Sequence, residues 1–157
     1  MSREQDLERI AEGLRRAELA LEPFTPGKTA YSMKDHDDPV TAADLAVDAV
    51  LRDFLPVSGE GWLSEETRDD ASRLSCSRVW IVDPVDGTKE FVQGIPEWCV
   101  SIGLVEEGRP VAGGLVNPIA GQTIIGGEGL GVSLNGEPAR PRPLEALEGL
   151  EVLSSRS

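Results

Sequence analysis

Apolar residues recur at three- and four-residue spacing from the start of the chain. Leu7, Ile10, Leu14, Ala17 and Leu21 share one stripe, which predicts an amphipathic helix closed before Pro23. Between Pro23 and Pro39 the periodicity lapses. TPGKTAYSMKDHDDP reads as a loop with a short extended piece around Ala30 to Met33. A second helix opens in TAADLAVDAVLRDFL. Thr41 suits the N-cap and Asp44 stands where a capping-box acid stands. Ala42, Leu45, Ala46, Ala49, Val50 and Phe54 are the expected buried face, and Pro56 is the stop.

The pattern then changes to short apolar runs. GWLSEE predicts a short strand leading into acids. SRVWIV (77–82) predicts a stronger one, β-branched and aromatic, apolar on both faces. Thr88 to Val92 fits a short helix or turn. WCVSIGLVEEGRPVAGGLVNP has the form of a β-hairpin around Glu106-Glu107-Gly108. GQTIIGG and GVSLNGE follow as further strands, with a tight turn at Asn135-Gly136. Two helices followed by mostly antiparallel strands make an α+β fold, with helices layered on a sheet. The tail starts a new apolar run at Leu150, Val152 and Leu153, so the chain is expected to be part of something longer.

The 157 residues suffice for one domain with a core, and 39% hydrophobic residues suit a globular chain. No apolar run is long enough to cross a bilayer, and the charged, helix-patterned start is not a secretory signal. A cytoplasmic location is expected. Cys76 and Cys99 are the only cysteines and His36 the only histidine, which excludes a Cys/His zinc cluster and a disulfide framework. Both thiols are expected free and buried. A net charge of −13 repels nucleic-acid polymers and anionic membranes, but admits a small phosphorylated ligand through a cation.

The chemistry concentrates in WIVDPVDGTKEF. Asp83 and Asp86 are expected in a loop after the strand, with Pro84 fixing the backbone so that both carboxylates and the Val85 carbonyl converge. Two close carboxylates repel unless a hard cation such as Mg²⁺ sits between them. Gly87 permits close approach of backbone N–H groups, and a helix starting at Thr88 favours an anion. The plain structural alternatives are an Asp-Gly turn and Asp83 as a helix cap. An EF-hand is excluded by spacing. Glu65 in LSEET supplies a plausible third carboxylate, whereas Glu66, with Asp69 and Asp70 following, reads as solvated acid. Asp44 reads both as a capping partner of Thr41 and as a site acid. Lys34 either offsets nearby charge or is an ordinary loop lysine.

KDHDDPVTAADLAVD, LSEE, WIVDPVDGTKEF and VSIGLVEEGRPVAGGLVNP stand in the order seen in the inositol monophosphatase superfamily, which the chain resembles from about Lys34 to Asn135. DGTKEF and DPVTAAD look most like the bacterial 3′(2′),5′-bisphosphate nucleotidase (CysQ-type) branch. The resemblance implies the N-terminal half of a sugar-phosphatase-like αβαβα sandwich: residues 1–157 as the metal- and phosphate-binding domain, without the C-terminal half. It implies a lithium-sensitive, Mg²⁺-dependent phosphomonoesterase using two or three ions. By position, Glu65 corresponds to the metal-bridging glutamate, with Ser64 where the family has glycine. Asp83, Asp86 and the Val85 carbonyl correspond to metal ligands, Gly87 and Thr88 to phosphate-binding amides, and Asp44 with Thr88 to the pair that polarises the attacking water. The family's W-D-x-A-A motif has no counterpart after Asn135.

Two functions follow. One is hydrolysis of a small phosphorylated metabolite, a bisphosphate nucleotide or an inositol phosphate, by metal-activated water. The other is a shortened, non-catalytic domain that folds, binds metal weakly and forms a homodimer through its uncovered sheet.

Overall fold

The computed structural model describes residues 1–33, 39–69 and 71–140. Lys34, Asp70, Leu150, Val152 and Leu153, all named above, lie outside the described residues. Helix α1 spans Arg3–Leu21 behind a Ser2/Gln5 capping box and buries Ile10, Leu14, Ala17 and Leu21, as the stripe predicts. Strands β1 (Tyr31–Met33) and β2 (Pro39–Thr41) pair antiparallel. Helix α2 (Ala42–Phe54) follows, capped by Thr41 with Asp44 completing the box.

The buried face of α2 differs from the expected one. Ala43, Asp44, Val47, Asp48 and Leu51 are buried. Ala42, Leu45 and Ala49 are exposed, and Ala46, Val50 and Phe54 only half-buried. In the protein the helix is turned so that Asp44 and Asp48 face inward, where both are hydrogen-bonded.

The main sheet runs β3 (Glu60–Ser64), β4 (Arg78–Asp86), β5 (Cys99–Glu106), β6 (Arg109–Asn117), β7 (Gln122–Gly127), β8 (Gly131–Leu134) and β9 (Glu137–Pro138), in that spatial order. Among the described residues only β3 and β4 pair in parallel; every other pair of this sheet is antiparallel. The β5–β6 turn at Glu107-Gly108 and the β8–β9 turn at Asn135-Gly136 have positive φ at both residues, which matches the right-handed twist of the flanking strands. Trp80, Val82, Val100, Ile102, Leu104, Val111 and Val116 join residues of α1 and α2 in one core. β4 is therefore apolar on both faces but fully buried on one: Ile81, pointing the other way, is 41% exposed.

Candidate active site

β4 continues through Asp86, so the two aspartates end a strand and do not lie in a loop after it. Residues three apart on a regular strand point to opposite faces. Here the register slips between Asp83, opposite Ser101, and Asp86, opposite Cys99. The extra residue is a β-bulge, sited where Pro84 has no N–H to give the ladder. It cancels the alternation and brings the two carboxylates within electrostatic reach of one another.

The parallel β3–β4 pair supplies the third acid. β3 ends with Ser64 opposite Val82, one residue before Asp83, while β4 runs on to Asp86. The next residue, Glu65, keeps the pairing by donating its N–H to the Val82 carbonyl at 3.3 Å, which sets it beside Asp83. Burial, then the charges of Glu65 and Asp86, then a hydrogen bond shared with Glu65 push the Asp83 carboxyl up to about 7, against the lowering effect of the Val85 amide. Two carboxylates at hydrogen-bond distance need a proton or a cation between them. The donors are all hard oxygens, which suits Mg²⁺. Among the described residues, no three His, Cys, Asp or Glu side chains close on one point as they stand.

Gly87 follows at φ +96°, and helix α3 spans Thr88–Gln93. A Cβ at Gly87 would fall 3.0 Å from the Glu97 carbonyl and 3.1 Å from Trp98 Cβ, so glycine is required twice over. No side chain caps α3, so Asp83 is not its cap. The Phe91 N–H bonds back to the Gly87 carbonyl at 2.9 Å, and the helix amides before Phe91 lie outside the intrahelical ladder.

Asp44 is fully buried and held by three donors. Its Oδ2 accepts from the Thr41 N–H at 2.9 Å and the Thr41 hydroxyl at 2.6 Å. Its Oδ1 lies 3.0 Å from the Thr88 hydroxyl, which also has the Val85 carbonyl at 2.9 Å. Asp44 therefore completes the helix cap and reaches Thr88 together. Cys99 and Cys76 are free but half-buried, not buried. Burial, then the charges of Asp86 and Asp83, push the Cys99 thiol up to about 11, which keeps it protonated and unreactive.

The structure thus gathers Glu65, Asp83 and Asp86 at one strand edge, and joins Asp44, Thr88 and Val85 through one hydroxyl. Sequence reasoning missed Asp48. This residue is 8% exposed and accepts from the Ser64 hydroxyl and, at 2.7 Å, from the Thr67 hydroxyl. The available signal was its place four residues after Asp44, hence on the same helix face.

Fold and site together define an α+β domain that collects carboxylates where β3 ends alongside β4, beside a helix-borne Asp–Thr couple. A family model described as the inositol monophosphatase family matches residues 5–156, and the chain belongs to that family. The match extends beyond the 34–135 stretch and takes in α1. Curated relatives include the histidinol-phosphatase of Mycobacterium tuberculosis, 38% identical across 74% of this chain and 45% of the relative. The 3′(2′),5′-bisphosphate nucleotidase CysQ of Salmonella typhimurium is 40% identical across 57% of this chain and 37% of the relative. Among solved structures, an inositol monophosphatase from Zymomonas mobilis superposes with a TM-score of 0.74 at 30% identity, over 92% of this chain and 55% of that one. The chain spans about half the length of the relatives it matches. No helix among the described residues is long and apolar enough to cross a membrane.

Proposed function

We propose that the chain carries the metal-binding and water-activating part of a Mg²⁺-dependent phosphomonoesterase acting on a small phosphorylated metabolite. The observation that carries this is geometric: the Glu65 N–H on the Val82 carbonyl sets Glu65 beside Asp83, the register slip keeps Asp86 on the same sheet face, and the Thr88 hydroxyl that follows bonds Asp44 Oδ1. Glu65, Asp83, Asp86 and the Val85 carbonyl are the groups that would hold Mg²⁺. Bound there, the ion supplies charge neutralisation and Lewis acidity.

The remaining work belongs to the chain's own residues. The Thr88 hydroxyl donates its single proton to Asp44, which leaves its lone pairs to accept from a water. As that water attacks phosphorus and the ester P–O bond breaks, Thr88 takes the water proton and passes its own to Asp44 Oδ1, and the departing alkoxide takes a proton from solvent. The Thr41 donors hold Asp44 in position for this step. The amides of Gly87 and Thr88 face the phosphoryl oxygens, where backbone donors stabilise developing negative charge. A bisphosphate nucleotide or an inositol phosphate fits this chemistry, and the relatives bearing those names support both.

A second reading has its own observation. The sheet face away from the helices exposes Ile81, Leu115, Ile124 and Leu134 at 38–41% each. A folded, non-catalytic domain that pairs through this face would account for them. The test is phosphate release from adenosine 3′,5′-bisphosphate and from inositol 1-phosphate with and without Mg²⁺, with sedimentation in parallel. Metal-dependent release that disappears in Asp83→Asn supports the enzyme. Metal-independent release overturns it, and an inactive dimer supports the second reading.

A further inference from the structure

We infer that Asp48 is a positioning residue that fixes Glu65 through the two hydroxyls on either side of it; this rests on the metal site proposed above. Asp48 is a nearly buried carboxylate in a helix face otherwise packed into the core. Burying a carboxylate is costly, and an apolar side chain would serve packing better. Both hydroxyl donors to Asp48 come from the short segment that carries Glu65. Ser64, 5% exposed, and Thr67 both donate to it. The Ser64 oxygen in turn accepts the Glu66 N–H at 3.2 Å. With the Glu65 N–H on the Val82 carbonyl, the backbone on both sides of Glu65 is tied down.

The same helix holds the other half of the site. Asp44 and Asp48 lie one turn apart, so they share a face about 6 Å apart along the axis. Asp44 grips Thr88, and Asp48 grips the Glu65 segment. Helix α2 thereby sets the spacing between the Thr88 hydroxyl and the segment that carries Glu65. Ser64 matters here for its hydroxyl, since a glycine in its place could not make this bond.

The test is calorimetric titration of the full chain with Mn²⁺, alongside melting in EDTA, for the unaltered protein, Asp48→Asn, Thr67→Val and Glu65→Gln. Loss of a partner that orients a ligand costs about tenfold or more in metal affinity. Asp48→Asn is expected to weaken Mn²⁺ about tenfold while the EDTA melt stays within a few degrees, a split that a purely structural role would not give. Thr67→Val leaves the Ser64 bond in place, keeps the test informative if Asp48→Asn fails to fold, and is expected to weaken Mn²⁺ about threefold. Unchanged affinity in both variants, while Glu65→Gln loses binding, overturns this inference alone. An unaltered chain that binds no Mn²⁺, or binds it equally as Glu65→Gln, overturns the metal site and this inference with it.

Discussion

Thr88 has one hydroxyl proton and two acceptors within 3.0 Å, the Asp44 carboxylate and the Val85 carbonyl. The carboxylate is the stronger acceptor, so the proton points to Asp44 and the oxygen is left to receive another. Thr88→Val keeps the shape and removes the hydroxyl of the proposed relay. Phosphate release under saturating Mg²⁺ is expected to fall 10²–10⁴-fold, the range for loss of a proton-transfer group, while Thr88→Ser retains most of it. Asp83 is set first by burial and then by the crowding charges of Glu65 and Asp86. Asp83→Asn is expected to lose divalent binding by calorimetry and, in EDTA at neutral pH, to melt no lower than the unaltered chain, because a repelled carboxylate has been removed. The motif D-P-x-D-G-T shows these residue types in the sequence, and from it the repulsion could be foreseen. The bulge that points both carboxylates one way could not, because it depends on which residues of β5 lie opposite.

At the scale of elements, α1, the β5–β6 hairpin and the β8–β9 turn were legible, since each is governed by local periodicity or by a turn dipeptide. The face of α2 was not. Its apolar residues are distributed widely enough to suit two orientations, and the choice was made by Thr88, Ser64 and Thr67, which give Asp44 and Asp48 their partners. The contact between α1 and the sheet shows the reverse economy, in which a missing side chain is what matters. A Cβ at Gly114 of β6 would come 2.6 Å from Ile10 and 3.0 Å from Leu14. Gly114→Ala is therefore expected to destabilise the domain by about 1–3 kcal/mol in urea unfolding, the usual cost of overpacking. Gly108→Ala, whose added Cβ meets nothing within 4 Å, serves as the control for backbone strain at positive φ.

Across the whole molecule, an ionic network ties the N-terminal helix to the sheet. Arg78 of β4 donates to Asp6 at 2.5 Å, to Glu60 at 3.0 Å and to Glu106 at 3.2 Å. Arg3 joins Asp6 to Glu106, and Arg9 and the Trp80 indole N–H both donate to Glu60 at 2.8 Å. Burial alone would raise the Glu60 carboxyl, but hydrogen bonds from Arg9, Trp80, the Val57 amide and Arg78 outweigh it and hold it near 2. A carboxyl held below its unfolded value of 4.5 contributes stability that is complete above that pH and is lost as pH falls toward 2. The melting temperature is expected to drop between pH 4.5 and 2. Glu60→Gln is expected to melt lower than the unaltered chain at pH 7 and to show a flatter decline with acid. An unchanged slope would show that Glu60 does not carry the effect.

By itself the sequence determined the two long helices, the hairpin turns, the α+β class and the residue types of the site, because these follow from short-range periodicity, backbone restriction and charge. Tertiary structure alone decided where the acids meet. Glu65 stands beside Asp83 because β3 runs parallel to β4 and ends opposite Val82, and Asp44 and Asp48 face inward because hydroxyls from distant segments receive them. Both depend on partners far away in the chain, which no local pattern encodes.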